Sequence, residues 1–166
     1  FSVFFGNLDL LTWSDSFIDQ YKKEHVWNED ACTIAADGHL EVLQYLHQKG
    51  CPWDEHACAN ASYRGHLDVL EYLHQNGCPW DQWACFYAAR NGHLEMLKYL
   101  HLNGCPWDEG ACSTAAWNGN IEVLKYLYQN GCPWDEQACS NAGFYGNLDV
   151  LQYDLERCLW DERACQ

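Results

Sequence analysis

Between residues 66 and 76 apolar and polar side chains separate at helical spacing, with Leu67, Val69, Leu70 and Leu73 on one side and Asp68, Glu71 and Gln75 on the other. At about 100° per residue, positions three and four apart share a face, so the pattern predicts an amphipathic helix. Residues 54 to 65 carry a different pattern. There Ala57, Cys58, Ala61 and Ser62 form one arc of small side chains, which lets a helix approach its neighbours closely. Asp54 stands where a carboxylate accepts the unpaired N–H groups of a helix start, and Glu55 after it faces the positive end of the helix dipole. Gly77 occupies the place of a left-handed helix terminator, and Pro79 prevents the helix from continuing. The predicted element is helix, tight turn, helix, loop.

The element recurs. The tripeptide beginning at Gly38 returns, with His or Asn at its second position, at Gly65, Gly92, Gly119 and Gly146, a step of 27 residues. The string Gly-Cys-Pro-Trp-Asp returns with the same step from Gly50 to Gly77, Gly104 and Gly131. One helix pair cannot bury its own apolar face, so neighbours must stack. The predicted fold is all-α: an α-solenoid of stacked helix-turn-helix repeats. Trp53, Trp80, Trp107 and Trp134 are expected to form an internal ladder along the loop side. The ends depart from the pattern. Gly6 precedes Gly38 by 32 residues, so residues 1–27 are expected to be a degenerate capping repeat with an insertion through Tyr21–Lys23. Residues 28–166 are expected to be one solenoid domain with an incomplete last repeat. In that last repeat Tyr153–Cys158 is one residue short and Leu159 replaces the proline, which predicts a distorted loop.

Composition narrows the partners. With 166 residues, 48% of them hydrophobic, the chain has enough apolar surface for a core. Asp and Glu number 24 against 9 Lys and Arg, for a net charge of −15. That sign excludes tracking a phosphate backbone and disfavours an anionic membrane surface, while it steers a basic protein partner inward at low salt. No apolar run approaches the length of a membrane span, so membrane insertion is not expected. The chain starts at Phe1 and stops at Gln166 in mid-pattern, as a segment of a longer chain or larger complex would.

Eleven cysteines raise the question of metal binding. Cys51, Cys58 and His47 supply three suitable ligand types in one repeat, and the set recurs as Cys78, Cys85, His74 and as Cys105, Cys112, His101. The next repeat puts Tyr128 in the histidine column, and the spacing matches no common zinc pattern. Buried structural thiols are the preferred reading, ahead of inter-repeat disulfides or a thiol-metal protein. An odd number of evenly spaced cysteines points to an intracellular, reducing compartment, with the cytoplasm favoured. His39, His66 and His93 read as structural hydrogen bonders to a neighbouring loop, and Asp54, Asp81, Asp108 and Asp135 as helix caps. Catalysis needs a nucleophile, a base and an oxyanion site at non-equivalent positions. The repeats offer only equivalent ones, so neither an enzyme nor a cofactor is expected.

The informative columns are the variable ones. Positions 56, 59, 60 and 63 share a face of the first helix directed away from the small-residue arc. This face reads His56, Ala59, Asn60, Tyr63; then Trp83, Phe86, Tyr87, Arg90; then Gly110, Ser113, Thr114, Trp117; then Gln137, Ser140, Asn141, Phe144. It changes at every step and carries the residue types enriched in binding hot spots, whereas the framework hardly changes. The expected partner-binding set is His56, Tyr63, Arg64, Trp83, Phe86, Tyr87, Arg90, Asn91, Trp117 and Phe144, with Arg64 and Asn91 flanking the face. A scaffold for a protein partner follows; the alternative is a structural subunit whose aromatic face is buried permanently in an assembly.

The same residues carry a family resemblance over residues 28–166. Gly50-Cys51-Pro52-Trp53-Asp54, the small-residue helix and the Gly-His-Leu start of the second helix resemble the ankyrin repeat. The first string takes the place of that family's Gly-Ala-x-hydrophobic-Asn loop, Cys58 the place of the leucine in its Thr-Pro-Leu-His motif, and Ala61-Ser62-x-x-Gly65-His66 matches its Ala-Ala-x-x-Gly-His. Ankyrin units usually run to about 33 residues. The shortfall lies between Asp54 and Cys58, where the family carries its β-hairpin finger. The resemblance implies a protein-binding solenoid that has inner helices but lacks fingers.

Overall fold

A computed structural model of the chain describes residues 28–133 and 136–148. The expected capping repeat of residues 1–27, Trp134, Asp135 and the expected distorted loop around Tyr153–Leu159 lie outside the described residues. By its internal contacts the chain forms two compact units, Phe1–Trp80 and Asp81–Gln166.

The first unit contains α1 (Glu29–Ala35), α2 (Leu40–Gln48), α3 (Glu55–Arg64) and α4 (Leu67–Gln75). The second contains α5 (Gln82–Arg90), α6 (Leu94–Leu102), α7 (Glu109–Asn118), α8 (Ile121–Gln129) and α9 (Glu136–Phe144). All regular elements among the described residues are helices. The architecture is the expected all-α, solenoid-like one. The first helices α1, α3, α5 and α7 each pack on their own second helix, and first helices of successive repeats within a unit pack on one another: α1 with α3 in the first unit, α5 with α7 and α7 with α9 in the second.

The local signals behave as the sequence predicts. Asp54, Asp81 and Asp108 have extended backbones, and each carboxylate accepts the N–H two residues on, at 3.0 Å. These bonds satisfy a donor that the helix leaves unpaired. At the other end of α4, Gly77 takes φ +80°, Cys78 N–H reaches back to the Leu73 carbonyl at 3.0 Å, and Gly77 N–H to His74 at 3.1 Å. The six-to-one bond is a Schellman-type closure, which requires the left-handed residue that glycine supplies. It also fixes the backbone of the loop cysteine.

The core consists of the two predicted patterns meeting. Val69, Leu70 and Leu73 are fully buried, as are Leu97, Leu100, Leu124 and Leu127, against Ala57, Cys58 and Ala61 or Ala84, Cys85 and Ala88 of the first helices. Burying each such leucine contributes about 1.5–3 kcal/mol, and the small side chains opposite make room for it.

The tryptophan column differs from expectation. Trp53, Trp80 and Trp107 are half-buried rather than internal. Each lies against the histidine of its own second helix, His47, His74 or His101, with ring centroids 4.0 Å apart. The next second helix then adds a tyrosine: His47 Nδ1 lies 2.9 Å from Tyr72 Oη, and His101 Nδ1 lies 3.0 Å from Tyr126 Oη. The loop side thus carries His-Trp-Tyr clusters at His47 and His101, in which the histidine and tyrosine polar edges find each other. Burial raises the Tyr72 and Tyr126 hydroxyls above their usual pKa.

Candidate functional site

The variable first-helix face is only partly exposed. Ala59 and Thr114 are buried, and Asn60 is half-buried with its Nδ2 donating to the Thr33 carbonyl of the preceding repeat at 2.8 Å. Asn141 makes the corresponding, longer contact to the Ser113 carbonyl at 3.5 Å. Asn60 and Asn141 therefore join α3 to α1 and α9 to α7, because these helices lie close enough for the side chains to span the gap. At the outer positions His56, Tyr63, Trp83, Arg90, Trp117 and Phe144 remain open.

In the first unit the open positions are His56 and Tyr63, with Arg64 beside them. His56 Nδ1 lies 3.1 Å from the capping carboxylate of Asp54. Arg64 places its guanidinium 5.5 Å from the Tyr63 ring centroid while its Nε pairs with Asp37 of the preceding repeat. The Tyr63-Arg64 pair is thereby held by an ion pair that links two repeats.

The second unit carries more aromatic surface. On α5, Trp83 meets Phe86 at 5.2 Å and Tyr87 at 5.9 Å between centroids, and Phe86 meets Tyr87 edge-on at 5.4 Å. Trp83 is 47% exposed, whereas Phe86 and Tyr87 are half-buried. The cause is visible at Gly110: a side chain there would place its Cβ 3.3 Å from Phe86. The absence of one on α7 leaves room for the Phe86 ring against that helix. Arg90 and Asn91 are exposed at the end of α5.

A second aromatic group follows on α7 and α9. Trp117 stacks on Tyr145 at 5.0 Å with rings 16° apart, and Phe144, 83% exposed, meets Tyr145 at 4.9 Å. Tyr145 was not among the expected residues. It stands in the column of Arg64 and Asn91, one position after the face, and continuing that column by two repeats would have found it. The side chain of Gln137 lies outside the described residues.

The cysteine-histidine sets are taken apart by the fold. Cys51 lies with Cys32 and the Asn28 carbonyl, while His47 lies with Trp53 and Tyr72. Among the described residues no group of three or more His, Cys, Asp or Glu side chains is arranged to hold a metal ion. The histidine column at the start of the second helices shows what it does through its asparagine members. Asn120 Nδ2 donates to the carbonyls of Ala89 at 3.0 Å and Arg90 at 2.9 Å, and Asn147 Nδ2 to Ala116 and Trp117 at 2.7 and 2.8 Å. His66 places its ring against Gly38, after the end of α1. Asn120 and Asn147 clamp the ends of α5 and α7, where the variable face ends.

Stacked helix pairs with fixed framework columns define a helical repeat protein. The model of the family described as ankyrin repeats (three copies) matches residues 31–111 and again 56–138. The chain belongs to the ankyrin-repeat family. No curated protein matches it. Ankyrin repeats are generally protein–protein interaction modules and typically non-enzymatic scaffolds. Among the described residues no helix is long and apolar enough to cross a membrane.

Proposed function

We propose that this segment recruits a protein partner through the open aromatic positions of its second unit: Trp83, Arg90 and Asn91 on α5, Trp117 on α7, and Phe144 with Tyr145 after α9. The observation that carries the reading is the exposure of Trp83, Trp117 and Phe144, at 47, 46 and 83%, on successive first helices of a family that binds proteins. Large apolar side chains grouped on a surface mark interaction sites, and tryptophan in particular anchors interfaces. His56, Tyr63 and Arg64 form a smaller patch of the same kind in the first unit. The net charge of −15 favours a basic partner, which would be steered in over a distance of about a Debye length. The buried thiols suit an intracellular, reducing compartment.

The test is capture from native extract, comparing the chain with a Trp83→Ser, Trp117→Ser, Phe144→Ser variant and with Leu102→Ser as a control. Leu102 is 79% exposed but lies on a second helix. Loss of the captured protein with the triple variant and its retention with the control support the reading. Equal capture by all three chains refutes it.

A further inference from the structure

In one repeat of each unit a cysteine of the first helix lies beneath the cysteine that closes the second helix. In the first unit Cys32 Sγ lies 2.9 Å from Cys51 Sγ and donates to it, while Cys51 Sγ lies 3.3 Å from the Asn28 carbonyl. The second unit repeats the construction, with Cys85 Sγ 4.0 Å from the Cys105 carbonyl and Cys105 Sγ 3.3 Å from the Asp81 carbonyl. The backbone of each loop cysteine is fixed by its bond to the leucine five residues earlier, Cys51 to Leu46 and Cys105 to Leu100, at 3.0 Å. These cysteines are thiols.

We propose that Cys32 and Cys51 form a peroxide-sensitive dithiol, a modification site that closes reversibly into a disulfide, and that Cys85 and Cys105 form a second such site. Three observations support this. A sulfur–sulfur bond is about 2.05 Å long, so the Cys32 and Cys51 sulfurs, at 2.9 Å, need approach by less than 1 Å in total. The pair is asymmetric in access: Cys51 retains 5% exposure and Cys105 4%, whereas Cys32 and Cys85 are at 0%. A small oxidant meets the loop sulfur first, and the helix sulfur waits behind it. The pair is also asymmetric in acidity, since the hydrogen bond from Cys32 holds the Cys51 thiol below its usual range, while the same bond and burial push Cys32 up. A thiolate-prone, reachable sulfur next to a resolving one is the arrangement that oxidation selects.

The chemistry balances with hydrogen peroxide as the oxidant. The Cys51 thiolate attacks one peroxide oxygen, the O–O bond breaks, and hydroxide leaves to become water on taking up a proton; Cys51 is then a sulfenic acid. The Cys32 sulfur attacks the Cys51 sulfur, the S–O bond breaks, and the departing hydroxide takes the Cys32 proton as a second water. Two thiols have given two electrons to peroxide. Excess small thiol reverses the bond by exchange, as suits a transient bond in a reducing compartment. The bond ties α1 to the loop after α2, so oxidation locks a helix-turn-helix repeat closed.

The test treats the chain with a small excess of peroxide at neutral pH, alkylates the remaining thiols and maps linked peptides without reduction. The expected products are Cys32–Cys51 and Cys85–Cys105 links, both removed by dithiothreitol, with a higher melting temperature while they persist. Links between other cysteines, dominant sulfinic acid at Cys51, or oxidation only after denaturation overturns the proposal. In a Cys32→Ser variant of unchanged helicity, whose hydroxyl keeps a donor beside Cys51 but cannot resolve it, Cys51 should accumulate as sulfenic acid that dimedone traps. An unreactive Cys51 in that variant removes its assigned role as attacking sulfur. Should Cys32→Ser not fold, the peptide map of the unaltered chain decides alone.

Discussion

Asn120 at the start of α8 donates through Nδ2 to the carbonyl of Arg90 at 2.9 Å, so one repeat holds the end of the first helix of the repeat before it. The second bond of the same group, to Ala89 at 3.0 Å, satisfies another carbonyl at the α5 terminus. Asn120→Ala should lower stability by about 1–2 kcal/mol, since two carbonyls lose their partner. Asn120→His, which reproduces the residue at 66 and 93, should recover part of the loss. Urea unfolding of both variants checks this; equal loss in the two would contradict the clamp.

The clamp also constrains the turn before α6. Gly92 has φ +77°, and a Cβ there would stand 2.9 Å from Asn120 Oδ1. Gly92→Ala should therefore cost about 1–3 kcal/mol, from the left-handed backbone and the displaced asparagine together. Pairing it with Asn120→Ala in a double-mutant cycle should show a coupling of several tenths of a kcal/mol. Additive effects would mean that only the backbone matters.

Ser62 is fully buried and its Oγ has no hydrogen-bond partner among the described residues. The equivalent positions Ala89 and Ala116 carry no hydroxyl. Ser62→Ala should stabilise the first unit by about 1 kcal/mol, because a desolvated polar group is removed without opening a cavity. Thermal melting that shows a loss would mean that the hydroxyl is satisfied.

High pH should destabilise the protein. Hydrogen bonding to the loop cysteine and burial raise the Cys32 and Cys85 thiols, and burial raises the Tyr72 and Tyr126 hydroxyls. A raised native pKa means that the native state keeps protons which the unfolded chain has released. This stabilisation is complete below the unfolded values, about 8.5 for cysteine and 10 for tyrosine, and is lost as pH rises beyond them. The lowered Cys51 works in the opposite sense, against four groups that are raised. Urea midpoints measured from neutral pH upward should fall above about pH 9; a rising midpoint would contradict these assignments.

Features fixed by local chemistry were legible in the sequence. The Asp54 cap, the Gly77 terminator and the Leu70 face depend on spacing within one repeat, and they stand where the pattern puts them. Features that depend on the distance between helices were not. Asn60 was expected in the open but spans to Thr33, and Phe86 packs closely over position 110 on α7, which is glycine. Cys51 is nearer in sequence to Cys58, yet the return of the chain after α2 brings it to Cys32. The tryptophans were expected to stack internally, but a histidine one turn before the loop takes that contact.

The central claim is that the partner sits on the first-helix aromatic positions of the second unit. Oxidative footprinting of the chain alone and of the chain with its captured partner reads those side chains directly. The account predicts protection of Trp83, Trp117, Phe144 and Tyr145, with Leu102 and Trp107 unchanged. Protection of Trp107 and Leu102 with Trp83 and Trp117 still reactive would place the partner on the second-helix and loop side and contradict it.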